Sequence, residues 1–492
     1  MSGMFDDFKE QVRSQANIVE IISEYVPLKK RGGSFWGCCP FHGEKTPSFS
    51  VTPDKNFFYC YGCHVGGDVF TFVMKMENCT FPEALKLLAN KLGIAVPEKE
   101  KTKAELEREK QAKQVIAANE LATRFFQACL TKTDYGIKAQ EYLTGRGITP
   151  EIIERFSIGV ALPNYNALLS ALGKRGCSAG LLVQAGLAVN YDRGSMDKFR
   201  GRVMIPIQDP RGHVVGFGGR ILEQNSQQMA KYMNTGETEW FNKRTLLFGM
   251  NVALKEIKKR RQAVIVEGYM DAISLHAAGI DWAVASMGTA FAQEQAKLLA
   301  RAADEVVFSY DSDAAGQRAT VRAVSIAKEA GLKVRVLIVP DGKDPDEFVR
   351  KHGKDAYLRL IETAVSGIEF QMQYVISQNN VSNLAGKVEA VSNILPFLLE
   401  CKNEIEVAQH IKTLAQRLTI DEGLIMSEYR KLSRKNDRGE AVSKWQIQPN
   451  VLSAEDLAEQ LLLYVILKNT DLALVYRDKI AVSYTHLTLP TT

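Results

Sequence analysis

Three apolar segments between residues 263 and 348 each run into carboxylates, and that recurrence limits the fold more than any other feature of the chain. Residues 263–266 stop at Glu267, residues 306–310 stop at Asp311 and Asp313, and residues 334–339 lead into Asp341, Asp344 and Asp346. Short runs of apolar, mostly β-branched residues read as buried parallel strands, and the patterns between them read as helices. One helix is expected over 270–278, closed by Gly279, and another over 314–330, closed by Gly331. The result is a βαβαβ unit whose parallel strands bring the acids to one edge, where open α/β sheets bind ligands. A single acid after a strand is more often a helix N-cap than a ligand. Three acid-tipped strands in one unit favour a site, because clustered carboxylates repel unless a cation lies between them, and hard oxygen donors suit Mg²⁺ or Mn²⁺.

The rest of the chain sets the context for that unit. At 492 residues it exceeds a single core, since domains average about 150 residues. The net charge of +5 neither demands nor excludes a nucleic-acid partner. No apolar run reaches the roughly 20 residues that span a bilayer, and residues 1–15 do not read as a signal peptide, so a cytoplasmic protein without a membrane partner is expected. Four of the eight cysteines fall at 38, 39, 60 and 63, a clustering that suggests metal rather than a disulfide framework.

Composition divides the chain as follows. Residues 1–97 form a turn-rich, aromatic unit; 98–113 are an alternating-charge linker or exposed helix; 114–432 are dense in periodic apolar segments, with paired helices expected over 385–399 and 404–418. A second polar linker covers 433–450, and an amphipathic helix begins a further domain over 451–481. Residues 482–492, VSYTHLTLPTT, read as translated sequencing-adapter sequence, so the natural chain is expected to continue past about Ala481.

Cys39-Pro-Phe-His42 and Cys60-Tyr-Gly-Cys63 each place two ligands two residues apart, the spacing that offers both to one tetrahedral zinc ion. The hairpin-like segments between them make the site a zinc ribbon, and its closed ligand set makes the ion structural. Cys38 and His64 are possible substitutes. Lys29, Lys30, Arg31, Lys45 and Lys55 interleave with Phe35, Trp36, Phe49, Phe57 and Phe58, which suits single-stranded nucleic acid; the rings equally suit the core of a very small domain. A second basic cluster comprises Arg200 and Arg202 in FRGR, Arg220 in GFGGR, Lys231, Tyr232 and Asn234 in KYMN, and Lys243. Glycines of this kind let backbone approach phosphate, and arginine forks bind its oxygens. No G-x-x-x-x-G-K-[ST] loop occurs, which excludes a P-loop ATPase.

With the two sites in this order, the chain resembles the bacterial DnaG-type DNA primases over residues 1 to about 481. The zinc motif CPFHGEKTPSF with CYGC resembles their zinc-binding domain, and EGYMD (267–271), DSDAAG (311–316) and DPD (344–346) resemble their Toprim metal site. Arg146 in YLTGRG and the basic residues above fall where that family keeps the basic residues of its catalytic core. Ser312 stands where a glycine is often found, and Thr235-Gly236 replaces a frequent Ser-Pro. The resemblance implies a multidomain α+β and α/β chain: a zinc ribbon (1–97), a linker (98–113), a mixed α+β subdomain (114–255), a Toprim α/β subdomain (256–345), a helical subdomain (346–432), a second linker (433–450) and the start of a helical helicase-interaction domain (451–481).

It further implies synthesis of short RNA primers for lagging-strand replication on a single-stranded DNA template, from ribonucleoside triphosphates, at the replication fork. Helicase and single-strand-binding protein are the implied partners of a monomer. Glu267, Asp311 and Asp313 are the expected catalytic acids; Asp311 and Asp313 ligate Mg²⁺ or Mn²⁺, Glu267 serves as ligand or base, and Asp344 and Asp346 support the cation. A Toprim nuclease or topoisomerase-like enzyme and a non-catalytic single-strand-binding scaffold are the alternative readings.

Overall fold

The computed structural model describes residues 2–77, 80–96, 102–192, 194–222, 230–288, 290–340, 344–401 and 403–437. The chain forms two compact units, Met1–Tyr374 and Val375–Thr492. Asp341 and the segments 451–481 and 482–492 lie outside the described residues.

The first unit begins with a domain that has its own core, from Phe8 to Ile94. Its centre is a five-stranded antiparallel meander, Lys29–Arg31, Ser34–Gly37, Phe49–Thr52, Phe57–Cys60 and Gly66–Gly67. The 3₁₀ turn Pro53–Lys55 reverses the chain and closes on Asn56 in the left-handed region (φ 48°), a conformation Asn tolerates. Phe49, Phe58 and Phe72 are buried and pack with Phe41 at 5.3–6.3 Å. These rings therefore fill a small core, whereas Phe57 and Tyr61 are exposed.

The charged segment after this domain continues into folded structure. Thr102 and Glu105 form a capping box, and one helix runs over Lys103–Lys132. The expected linker is thus helical from Lys103 onward, with its apolar face starting only at Val115. That helix packs on an antiparallel sheet ordered Tyr232–Asn234, Val214–Ile221, Arg202–Gln208, Gly159–Ala161.

The glycines of GFGGR lie inside the strand Val214–Ile221, not in a loop that could close on phosphate. A Cβ on Gly216 would lie 2.7 Å from the Phe241 ring, and one on Gly218 would lie 2.7 Å from the Tyr269 ring. They are glycines because aromatic side chains press onto the strand.

The acid-tipped segments form a sheet ordered Ala283–Ala285, Gln262–Val266, Glu305–Phe308, Lys333–Val336, Val365–Ser366. The first four strands are parallel and the last is antiparallel. Helices Tyr269–Ala277 and Ala314–Glu329 lie where the periodicity placed them. The edge strand Ala283–Ala285 and helix Gln293–Ala300 are additions to the simple βαβαβ unit. A three-residue strand is too short to carry a sequence period.

The second unit contains helices Leu384–Leu399, Glu404–Leu418 and Glu422–Asp437. Asn383 and Asn403 cap the first two. Ile394, Leu398, Ile411, Leu414 and Ile425 are buried in this unit. Among the described residues, no helix is long and apolar enough to cross a membrane.

Candidate functional site

Strand ends position the acids. Glu267 follows Gln262–Val266, and its backbone carbonyl accepts hydrogen bonds from the Met287 N–H (3.0 Å) and the Gly288 N–H (3.3 Å). Met287 takes a left-handed φ of 64°, so the turn after the short edge strand holds strain directly against a catalytic candidate.

Asp313 caps helix Ala314–Glu329, accepting from the Gly316 N–H at 2.7 Å, and Asp344 caps helix Pro345–Thr363, accepting from the Glu347 N–H at 2.7 Å. One carboxylate oxygen of each holds its helix, and the charge of each still acts on Asp311. A Cβ on Gly316 would lie 2.2 Å from the Asp311 carbonyl oxygen and 2.8 Å from Glu267 Oε1. Only glycine lets that first helical turn approach the acids so closely.

The electrostatics report crowding. Burial, then Asp311 and Asp313, push Glu267 up to about 7. Burial, then Asp344 and Asp313, push Asp311 up to about 6, while Lys231 pulls it down. Asp271, the last acid of EGYMD, is pushed up to about 8 by burial, then by Asp344, Asp311 and Asp346. The EGYMD motif alone does not show that Asp271 joins these acids; its position four residues after Glu267, in the first turn of helix Tyr269–Ala277, is the signal the sequence carries. Glu267 Oε1 is buried without a hydrogen-bond partner among the described residues. A partnerless buried oxygen among mutually repelling carboxylates is the donor set a divalent cation fits.

Asp346 differs from the other acids. It is buried, and its oxygens accept from Ser274 Oγ (2.6 Å), Arg350 Nε (2.9 Å) and Arg146 (2.6 Å).

The predicted basic residues separate into two groups. Arg146 stacks over the Tyr142 ring (5.4 Å), Arg220 lies between the rings of Tyr142 (5.1 Å) and Tyr232 (5.0 Å), and Tyr232 meets Tyr269 edge to face at 5.4 Å. This chain of rings and guanidinium groups joins the antiparallel sheet to the acid site. Lys231 is exposed and close enough to Asp311 to act on its charge, and Asn234 Nδ2 donates to the Met287 carbonyl at 3.5 Å.

Arg202, by contrast, is fully buried and donates to the carbonyls of Gly219 (3.2 Å), Lys231 (3.4 Å) and Ala230 (2.9 Å), which makes it a strut of the sheet. Arg200 donates to the Asp197 carbonyl and lies over Tyr165. Lys243 sits in the 3₁₀ turn Lys243–Thr245, where its charge, after burial, lowers the pKa of Lys198.

The second site is the cluster Cys39, His42, Cys60 and Cys63, whose ligand atoms all lie within 4.8 Å of one another. Cys39 Sγ is 3.8 Å from Cys63 Sγ, and Cys60 Sγ is 3.7 Å from His42 Nδ1. A tetrahedron built on ordinary zinc bond lengths has edges of about 3.8 Å between sulfurs and about 3.6 Å between sulfur and nitrogen. The residues therefore fit zinc. Cys38 is exposed, and His64 Nδ1 pairs with the Tyr59 hydroxyl at 3.0 Å.

Family models match along the chain: the CHC2 zinc finger over residues 4–104, the DNA primase catalytic core N-terminal domain over 125–254, a Toprim-like domain over 264–349 and the DnaB-helicase binding domain of primase over 368–423. The last match lies N-terminal to 451–481, where the sequence reading expects helicase interaction. The DNA primase of Clostridium acetobutylicum is 39% identical over 480 residues, covering 97% of this chain and 79% of that one. The DNA primase of Geobacillus stearothermophilus is 35% identical, covering 96% and 80%.

Among solved structures, the zinc-binding and RNA polymerase domains of the Aquifex aeolicus primase match with TM-score 0.53 and 31% identity, over 85% of this chain and 99% of that one. A DnaG primase catalytic domain bound to single-stranded DNA matches with TM-score 0.57 and 34% identity, over 64% and 99%.

Acids gathered at the carboxyl edge of a parallel sheet and faced by basic side chains define a Toprim enzyme of phosphate transfer, here preceded by a zinc ribbon. Within that class the chain belongs to the bacterial DnaG-type DNA primases. It is a nucleotidyltransferase, an RNA polymerase that makes primers.

Proposed function

We propose that Glu267, Asp311, Asp313 and Asp344 hold a divalent cation, Mg²⁺ or Mn²⁺, for joining ribonucleotides on single-stranded DNA. The buried Oε1 of Glu267, which has no hydrogen-bond partner among the described residues, is the observation that carries this reading. When bound, the cation offsets the charge that builds on the transferring phosphate. The chain's own residues supply position: the capped helices fix Asp313 and Asp344, and Gly316 lets the first helical turn close on Glu267 and Asp311.

Lys231, Arg220, Tyr232, Asn234, Arg146, Arg200 and Lys243 steady the triphosphate and template. Asp346 orients Arg146 and would support the cation, and Arg202 contributes by holding the strand that carries Arg220. Cys39, His42, Cys60 and Cys63 bind one structural zinc. The zinc ribbon (1–97) grips the template beside a polymerase core built from 114–255, 256–345 and 346–432. The partners are the replicative helicase and single-strand-binding protein, and the enzyme acts as a monomer at the replication fork in the cytoplasm.

A template-directed assay with labelled ribonucleotides and short single-stranded templates tests this. Asp311→Ala and Glu267→Ala should abolish primer synthesis with the fold intact, and retained synthesis in either variant overturns the assignment. Cys60→Ser should release zinc and impair initiation more than extension; equal impairment of both steps argues against a template-gripping role.

A further inference from the structure

We propose that Glu44 is a positioning residue of the zinc cluster, whose carboxylate orients the His42 ring so that Nδ1 is the ligating nitrogen. This rests on the reading that the four-residue cluster takes zinc. Glu44 Oε2 lies 3.2 Å from His42 Nε2, while His42 Nδ1 faces Cys60 Sγ at 3.7 Å. The two ring nitrogens thus point to different tasks. A neutral imidazole carries its proton on the nitrogen that faces an anion, which leaves the other lone pair for a metal.

The same carboxylate is itself fixed. Oε1 accepts from the Cys39 N–H (2.6 Å) and the Ser48 N–H (3.2 Å), and Oε2 accepts from the Ser48 hydroxyl (2.5 Å). Ser48 Oγ in turn lies 3.3 Å from Cys60 Sγ. Glu44 therefore touches one ligand residue through its backbone, a second through its ring, and a third by way of Ser48. From the other side the ring is confined by Gly62, where a Cβ would lie 2.7 Å from His42 Nε2. The Glu44 side chain is only 10% exposed, so the carboxylate that faces the His42 ring is largely shielded from water.

The test compares the full chain with Glu44→Gln and Glu44→Ala. Zinc affinity is measured by competition with a chromophoric chelator, ligand geometry by the visible spectrum of the cobalt(II)-substituted protein, and the His42 tautomer by ¹⁵N-histidine NMR. Glu44→Ala should weaken zinc binding about 10–100-fold and shift the cobalt d–d bands while keeping the thiolate charge-transfer bands. Glu44→Gln, which keeps an acceptor without the charge, should fall between Glu44→Ala and the unsubstituted chain.

Unsubstituted zinc affinity and an unchanged cobalt spectrum in Glu44→Ala overturn the proposal. Should Glu44→Ala not fold, the same result in Glu44→Gln overturns it, as does ligation of His42 through Nε2. An unsubstituted chain that binds neither zinc nor cobalt overturns the zinc reading itself.

Discussion

Arg146 donates to Asp346 at 2.6 Å across 200 positions of sequence, tying the C-cap of helix Asp134–Gly145 to the first turn of helix Pro345–Thr363. Asp346 is buried, so losing one cation leaves its charge served, among the described residues, by Arg350 and Ser274 alone. Arg146→Ala should destabilise the protein by about 1–3 kcal/mol. Arg146→Lys should recover only part of that, because a point charge does not replace a planar fork. Urea denaturation checks both, and full stability in Arg146→Ala would show the pair to be incidental.

Glu267→Gln should separate activity from stability. The substitution removes one member of a repelling set, so the cation-free protein should gain about 0.5–2 kcal/mol, while primer synthesis falls by at least about 100-fold. Thermal melts and the template-directed assay on one preparation measure both. A variant that loses activity and stability together would place Glu267 in the fold rather than in the chemistry.

The raised acids give a pH dependence of definite sign. Glu267, Asp271 and Asp311 are held at about 7, about 8 and about 6 in the folded chain, against values near 4 when unfolded. Between those limits the folded state binds more protons than the unfolded state. The stabilisation from these groups is therefore complete below about pH 4 and is lost as pH rises toward about 8. Melting of the cation-free protein should show this decline, and the rise in Tm on adding Mg²⁺ or Mn²⁺ should grow over the same window. A cation effect of equal size at about pH 5 and about pH 8 would sink the argument.

Gly316→Ala should fail at the site. Its Cβ would lie 2.2 Å from the Asp311 carbonyl oxygen, so the turn must move away and carry the Asp313 cap with it. Cation affinity should drop about tenfold or more, read by titration of catalytically required Mn²⁺, with the secondary structure retained by circular dichroism.

Arg202 and Lys231 should give opposite phenotypes. Arg202→Ala strands the buried carbonyl of Gly219, removes the donor to the Ala230 carbonyl and should cost about 3 kcal/mol or more. Lys231→Ala, on the surface, should change stability by less than about 0.5 kcal/mol yet raise the KM for ribonucleotides. Denaturation and initial-rate kinetics together decide whether the two positions have been assigned correctly.

The acid-tipped strands, the Cys39, His42, Cys60 and Cys63 cluster and the paired helices near 385–418 were legible in sequence because each rests on local spacing: an apolar run with its stop, two soft side chains on one turn, a 3.6-residue period. The short strand Ala283–Ala285 was not, since three residues establish no period and its identity as a strand comes from pairing with Gln262–Val266. Nor could spacing show that the GFGGR glycines serve Phe241 and Tyr269.

By itself, then, the sequence determined which residues could ligate, cap or bind phosphate, because those capacities belong to side-chain chemistry and near neighbours. Tertiary structure alone decided how that capacity is used. FRGR holds two similar arginines, and only packing makes Arg202 a buried strut. DPD holds two similar aspartates; Asp344 caps a helix beside the other acids, and Asp346 is neutralised by Arg146. The physical reason is that burial and long-range charge partners, which fix a side chain's protonation and freedom, are set by residues far away in the chain.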